Sequence, residues 1–593
     1  MCGIVGYIGN KQAQPILLNA LAHLEYRGYD SSGIAVRGDS VQVYKDKIRV
    51  KELTEKAPLF SGTSGVGHTR WATHGEPSKS NAHPHSDCTG KIAVVHNGVI
   101  TNYQTLKDML IREGHIFTSE TDTEVISHLI EKYYHRDIEE SVRAVLEILE
   151  GSYAIVVLNS EDSTLIAAKN GNPLIIGIGD TEKIIASDIP AILDYTNKII
   201  YLEDGDLATI TQNELKISNN HRTVERQITV VSWDAEDTQK CGYEHFMLKE
   251  IHEEPKVINN TLRGLANRVL EPEEDFRIVE QGRPLLILAC GTSYHASLVG
   301  KYIIEDLLDI QVQTDLASEV NHRDHVIFFK DVLALTQSGE TADVLYAMRE
   351  LRKRGSHITV ITNVRGSSAS RLAHKTIYTS AGPEMSVAAT KSFIAQLVAL
   401  YSMVLSHPSL SATNRDKLTA ELKLVPGQLQ QILENDSNIE SCAKFLSGYT
   451  NAFFIGRGIN YPIAMEGALK LKEISYIHAE GYAAGELKHG PFSLLQQDTP
   501  VIAIVAKDKT YNSMVTSIKE VKSRRSPVIA VISEDDNIID KLADRVIRVP
   551  KTLDLLTPVV NSVALQLLAY YTAKYKGCPV DFPRNLAKSV TVE

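Results

Sequence analysis

The rhythm of apolar positions changes part-way along this 593-residue chain. Before residue 235, short β-like runs fall at 3–8, 33–36, 92–95, 153–158, 174–178, 184–186 and 207–210. Turn residues separate them, and helical periodicity covers 11–24, 122–134 and 138–150. This mixture predicts an α+β domain of antiparallel sheets with packed helices, assigned to residues 2–235. A last strand-like run, 228–232, leads into the polar segment Asp234 to Lys240, and 236–250 reads as a linker. Beyond it, apolar runs alternate with long amphipathic stretches, the pattern of parallel α/β units. The runs 285–289, 332–335 and 358–361 recur as 453–456, 501–505 and 528–532, between 168 and 170 residues later. That spacing predicts two copies of one α/β unit, 251–425 and 426–580, followed by a tail, 581–593.

Composition narrows the class. Hydrophobic content of 43% and charged content of 23% are those of an ordinary globular protein. A net charge of -11 gives no reason to expect nucleic acid. Six cysteines, at 2, 88, 241, 290, 442 and 578, form no CxxC pair, so no zinc ribbon and no disulfide framework is expected. A reducing, cytoplasmic setting fits them. Lys11 and its polar neighbours interrupt the start, so no leader is expected. The apolar stretch 556–571 carries Thr557, Pro558, Asn561, Ser562 and Gln566, and reads as a core helix rather than a membrane span. No metal and no cofactor is expected.

Candidate chemistry begins at the second residue. Removal of Met1 would leave Cys2 with a thiol nucleophile and an α-amine whose reference pKa is about 7.7–8.0, so one residue would supply nucleophile and base. A buried, inert cysteine is the plain alternative. Arg70 carries a fork that grips carboxylates, and Trp71 beside it suits a lid. His96-Asn97-Gly98 ends a strand-like run, and its Asn-Gly pair is either a tight turn or an oxyanion hole. Ser119 to Glu124 opens a helix, where Ser119 or Thr121 would cap and Asp122 could bind an ammonium. Together these describe a site for an amino acid with a side-chain amide.

Cys2-Gly3-Ile4-Val5-Gly6, Arg27 to Gly33, His68 to Gly75 and His96-Asn97-Gly98 resemble the glutaminase domain of N-terminal-nucleophile amidotransferases. The resemblance implies that Cys2 attacks the glutamine carboxamide, that Asn97 and Gly98 stabilise the oxyanion, and that Arg70 and Asp122 hold the α-carboxylate and α-amine. Trp71, Thr73 and His74 would line or close the pocket.

In the second half, Cys290-Gly291-Thr292-Ser293 and Thr336-Gln337-Ser338-Gly339-Glu340-Thr341 each follow a strand, where open parallel sheets bind ligands. Hydroxyls and N–H groups at a helix start suit a phosphate, while ordinary capping is the alternative. The segment 466–491 is dense in Glu, Lys and His; Lys470 and Glu473 are three apart on one helix face, either as a solvated ion pair or as acid–base machinery. A Gly/Ala-rich loop, 481–485, leads to His489-Gly490-Pro491.

Leu471 to Glu480, Gly485 to Pro491 and the last ten residues resemble the family of isomerising glutamine–fructose-6-phosphate aminotransferases, and the likeness runs from residue 2 to residue 593. It implies sugar-phosphate contacts from Thr292, Ser293, Thr336, Gln337, Ser338 and Thr341, and from the stretch beginning at Val387. Glu473 would move a proton between C1 and C2 with Lys470 beside it. His489 would assist ring opening from the neighbouring subunit of a homodimer, and Lys588 would contact the sugar carbonyl from the tail 581–593, which would close the sugar site. The implied reaction turns glutamine and fructose 6-phosphate into glutamate and glucosamine 6-phosphate, the first step of amino-sugar biosynthesis. An amino-sugar deglycase and a non-catalytic sugar-phosphate sensor are the alternatives. Thr336 and Ala389 stand where the family commonly has Ser, and Val320-Asn321-His322 where it has Phe-Arg-Tyr.

Overall fold

The computed structural model describes residues 2–72, 74–161, 163–231, 238–269, 279, 283–320, 322 and 329–591. The start of the expected linker, 236–237, lies outside them. Two compact units emerge: Met1–Gln239 with Ala587–Glu593, and Lys240–Leu586. A helix, Phe246–Val269, already occupies the end of the expected linker. Its first N–H groups, on Phe246 and Met247, are capped by the Asp581 carboxylate at 3.0 Å, a partner no local pattern reveals.

The first unit holds two antiparallel sheets. One has eight strands, with Gly3–Ile8 between Lys183–Ala186 and Ser64–Arg70. The other has seven, with Gly151–Asn159 and Ile92–Ile100 adjacent. Successive side chains of a strand face opposite ways. Ala93 and Val95 therefore join Ile4, Ile8, Ala35 and Val66 between the sheets. Ile92 and Val94 turn outward to meet Val125, Ile126 and Leu129 of the helix Glu124–Tyr133. The expected α+β sandwich forms.

One strand is longer than its apolar run. Asn97 and Gly98 do not end it in a tight turn; pairing continues to Ile100↔Gly151. Gly98 sits at φ +134°, and a Cβ there would lie 2.0 Å from the Ser152 carbonyl oxygen. Only glycine lets the ladder pass this point.

The second unit contains two five-stranded sheets, all parallel. The first runs Val312–Leu316, Leu285–Ala289, Asp331–Leu335, His357–Thr362, Lys375–Tyr378. The second runs His478–Ala483, Asn451–Gly456, Val501–Ile504, Val528–Ser533, Arg545–Val549. The repeat inferred from spacing is thus a repeat of architecture. Gly481–Ala483 belongs to an edge strand, not to a ligand loop. Gly481 is small because a Cβ there would come within 2.4 Å of Met465 Cα.

One core cluster takes residues from both repeats, including Ile287 and Leu333 from one sheet and Phe454 and Ile502 from the other. The helix Thr557–Tyr575 crosses this cluster through Val559, Val563 and Leu567. It is long and apolar enough to cross a membrane, yet 83% of its apolar window is buried in the fold, as expected of a core helix.

Candidate active sites

In the first unit, a pocket gathers Cys2, Arg70, Trp71, Asn97, Gly98 and Asp122, with His83, His96, Thr121, Thr123 and Thr591 completing its wall. Each arrives on a defined element. Cys2 precedes the strand Gly3–Ile8, and Arg70 ends the neighbouring strand Ser64–Arg70. The Trp71 N–H donates to Cys2 Sγ at 3.2 Å. Asp30 fixes this corner: its N–H donates to the Arg70 carbonyl, and its carboxylate accepts from Ala72 N–H at 2.9 Å. The Trp71 ring stands edge-on to Tyr29. Burial pushes the Cys2 thiol up, while the Trp71 N–H and the Arg70 and Arg27 charges work the other way.

Arg70 and Asp122 are both buried, and their opposite charges suit the two ends of a zwitterionic amino acid. One Arg70 nitrogen, Nη2, is anchored on the carbonyls of His74 and Gly75. The other, Nη1, has no hydrogen-bond partner among the described residues. Asp122 is held by Ile100 N–H, which donates to its carboxylate at 2.8 Å. The helix that follows is not capped by Ser119 or Thr121: its N-cap is Thr123, with no side-chain cap. The Glu124 carboxylate instead accepts from the N–H and hydroxyl groups of Thr118 and Ser119. His74 contributes its carbonyl, and its ring packs edge-on to Tyr103. Thr73 lies outside the described residues.

Asn97 donates from Nδ2 to the Cys2 carbonyl at 2.9 Å. Its other end, Oδ1, lies 3.1 Å from His68 Nε2, which is also 3.0 Å from the His96 carbonyl. His68 and Arg27, which donates to the Cys2 carbonyl at 3.3 Å, are neighbours of the site to which the sequence reading gave no role, although each opens a stretch that carries the family resemblance. A single buried histidine in a strand looks like any core residue.

In the second unit, Lys470 and Glu473 lie on the helix Tyr461–Ser475, 2.6 Å apart. Their pair is no solvated ion pair, because Lys470 is 1% exposed. Burial disfavours its ammonium, but Glu473 and Glu466 outweigh that and hold its pKa above the ordinary lysine value. Lys470 Nζ also donates to Thr292 Oγ1 at 3.1 Å, and Thr292 donates to Glu466 at 3.1 Å. His295 Nδ1 completes the network 2.7 Å from Glu466. One site is therefore built from both repeats. Glu466 belongs to the dense segment 466–491 that the sequence marks, although it was given no role there; His295, 171 residues away, was not marked.

The phosphate-type loops are not spent on capping. The helix Gly291–Leu308 starts at Cys290 and the helix Ala342–Lys353 at Thr341, both without a side-chain cap. Neither helix start is therefore closed by the side chain of its N-cap residue. Ser293 Oγ accepts from Gln396 at 2.9 Å. Thr336, despite replacing a serine, places its hydroxyl 3.2 Å from that of Thr341 and accepts Gly339 N–H. Gln337 and Ser338 are half-buried at the loop crest, where Ser338 accepts Glu340 N–H at 3.1 Å. Val387 is buried, its N–H donating to the Asp581 carbonyl. His489 is exposed on a short turn, Glu486–His489. Lys588 is half-buried in the tail that groups with the first unit.

Comparison with known proteins finds counterparts for both units. A glutamine amidotransferase domain model matches residues 68–194, and the SIS domain model matches 278–406 and again 445–574. The isomerizing glutamine–fructose-6-phosphate aminotransferase of Caldanaerobacter subterraneus subsp. tengcongensis is 48% identical over 612 residues, covering 100% of both chains. That of Aquifex aeolicus is 46% identical over 599 residues, again covering 100% of both. Among solved structures, the C-terminal domain of glucosamine-fructose-6-phosphate aminotransferase from Francisella tularensis has a TM-score of 0.53 and 36% identity, covering 58% of this chain and 100% of that one. The chain belongs to the family of isomerizing glutamine–fructose-6-phosphate aminotransferases.

Proposed function

We propose that the chain converts glutamine and fructose 6-phosphate into glutamate and glucosamine 6-phosphate. The observation that carries this reading is the pocket in which Cys2, Arg70, Asn97 and Asp122 meet, on a chain that also holds the buried Lys470–Glu473 pair. Arg70 and Asp122 bind the two charged ends of glutamine. Cys2 Sγ attacks the amide carbon, with its own α-amine taking the thiol proton once Met1 is gone. Asn97 Nδ2 and Gly98 N–H receive the developing oxyanion. Ammonia leaves, and water hydrolyses the thioester to glutamate.

In the second unit, the loops at 292–293 and 336–341 hold the sugar phosphate. His489 assists ring opening from the second subunit of a homodimer, and its exposure fits such a shared role. Ammonia adds to the C2 carbonyl and water departs. Glu473 then takes a proton from C1 and returns one to C2, and Lys470 stabilises its carboxylate. Lys588 contacts the open-chain carbonyl. This reading places the enzyme in the cytoplasm.

The test uses purified protein with amide-labelled glutamine and fructose 6-phosphate, each also omitted in turn. Labelled glucosamine 6-phosphate and sugar-stimulated glutamate release are expected. Glutamate without amino sugar, or amino sugar without need of glutamine, would overturn the reading.

A further inference from the structure

A second constellation in the first unit is not used by this chemistry. Cys88 Sγ, one ring nitrogen each of His115 and His128, and a Glu131 carboxylate oxygen all lie within 4.8 Å of one another. Cys88 Sγ is 3.7 Å from His115 Nδ1 and 3.5 Å from His128 Nδ1. Glu131 Oε2 is 3.1 Å from the first imidazole and 3.4 Å from the second. We propose that these four side chains form a structural zinc site.

The spacing carries the assignment. With Zn–S about 2.3 Å and Zn–N and Zn–O about 2.1 Å, a regular tetrahedron sets sulfur and nitrogen about 3.6 Å apart and nitrogen and oxygen about 3.4 Å apart. Four of the six edges, at 3.7, 3.5, 3.1 and 3.4 Å, lie near those lengths, and the other two are within 4.8 Å. A thiolate with two imidazoles selects zinc over calcium or magnesium, which seek oxygen shells. Four protein donors leave no open position, so the role is structural.

The surroundings fit a metal as well. Ile116 N–H donates to Cys88 Sγ at 3.4 Å, as backbone groups do to bound thiolates. His128 turns its other nitrogen, Nε2, toward Glu124 at 3.7 Å. Glu124 is itself the anchor of Thr118 and Ser119, and it lies two residues after Asp122. A metal here would join the Cys88 turn, the segment 115–118 and the helix Glu124–Tyr133, and so stiffen the loop that presents Asp122. Cys88 is exposed, which gives the ion a path from solvent. The sequence hides the set because its members are spread over three segments with no paired-cysteine motif.

The test uses the full chain, stripped with a chelator and then titrated with zinc sulfate. Elemental analysis is expected to find one zinc per chain, lost in Cys88→Ser and in His115→Gln. Cobalt loading is expected to give a thiolate charge-transfer band absent from Cys88→Ser. Zinc is expected to slow alkylation of Cys88 while leaving that of Cys241, also exposed, unchanged. Stripped protein is expected to show a several-fold higher KM for glutamine at little cost in kcat, reversed by zinc. Absence of stoichiometric zinc, or undiminished zinc binding by Cys88→Ser, overturns the site. Neither result bears on the Cys2 chemistry, which is read separately by glutaminase activity.

Discussion

His68 fixes which way the Asn97 amide points. Its Nε2 faces two oxygens, the His96 carbonyl and Asn97 Oδ1, so Nε2 carries the proton and donates to both. The amide is thereby held with Nδ2 toward Cys2. Burial keeps His68 neutral, its pKa lowered to about 3, so this tautomer persists across the physiological range. His68→Ala is expected to free the amide and reduce kcat for glutamine hydrolysis by about 10–100-fold, less than the 10²–10³ of deleting an oxyanion donor outright. KM for glutamine should change little, and His68→Gln should recover part of the rate by restoring a donor. A raised KM with unchanged kcat would show that His68 serves binding instead. Arg70, Asn97 and Asp122 were legible because each stands in a compact polar cluster, and Cys2 because it follows Met1 directly. His68 and Glu466 stand in such clusters too, but their contacts to Asn97 and His295 were not legible, and His295 was not marked at all, because those partners lie 29 and 171 residues away and only the fold supplies them.

At the level of elements, what could be read depended on where a strand sits in its sheet. All six apolar runs of the second half are central strands, buried on both faces and therefore continuous in apolar character. The four strands that escaped notice, Val312–Leu316, Lys375–Tyr378, His478–Ala483 and Arg545–Val549, are the four edges. Polar residues interrupt their sequences, Gln313 to Asp315, Lys375-Thr376, His478 and Glu480, and Arg545 and Arg548, which breaks the apolar run and suits an edge that is not to pair further. Glycine in the strand Ile92–Ile100 misled for a related reason: Asn97-Gly98 has turn chemistry, but a positive φ is needed inside the ladder. Gly98→Ala is expected to destabilise the first unit by about 2–4 kcal/mol, since its Cβ meets backbone and cannot be relieved by a rotamer change. Gly90→Ala supplies the comparison. Its φ is +70°, but nothing lies within 4 Å of the added Cβ, so only about 1 kcal/mol is expected. Denaturant midpoints of the two variants decide it; equal losses would mean that the carbonyl of Ser152 yields.

For the whole molecule, the number of cooperative bodies differs from the number of sequence domains. Three domains are legible in the chain, but both sugar-isomerase repeats draw on one core cluster and share the Thr292–Glu466–Lys470 network. Calorimetry is therefore expected to resolve two transitions rather than three. The two should also answer acid differently. In the first unit His68, His83, His85 and His96 are held neutral by burial, their pKa values lowered. Unfolding lets each take up a proton near pH 6.5, so each costs this unit up to about 1.4 kcal/mol per pH unit below that value. Glu254 in the second unit has the opposite sign. Burial, reinforced by Glu384 and Glu250, raises its pKa far above the ordinary carboxylate value. It keeps its proton when folded and loses it on unfolding above about pH 4.3, so acid favours its folded form. Between pH 7.5 and 5.5 the first unit's transition should fall while the second holds or rises, and the gap should narrow in Glu254→Gln, whose neutral amide cannot titrate. Transitions that move together over that range would mean that the two bodies unfold as one.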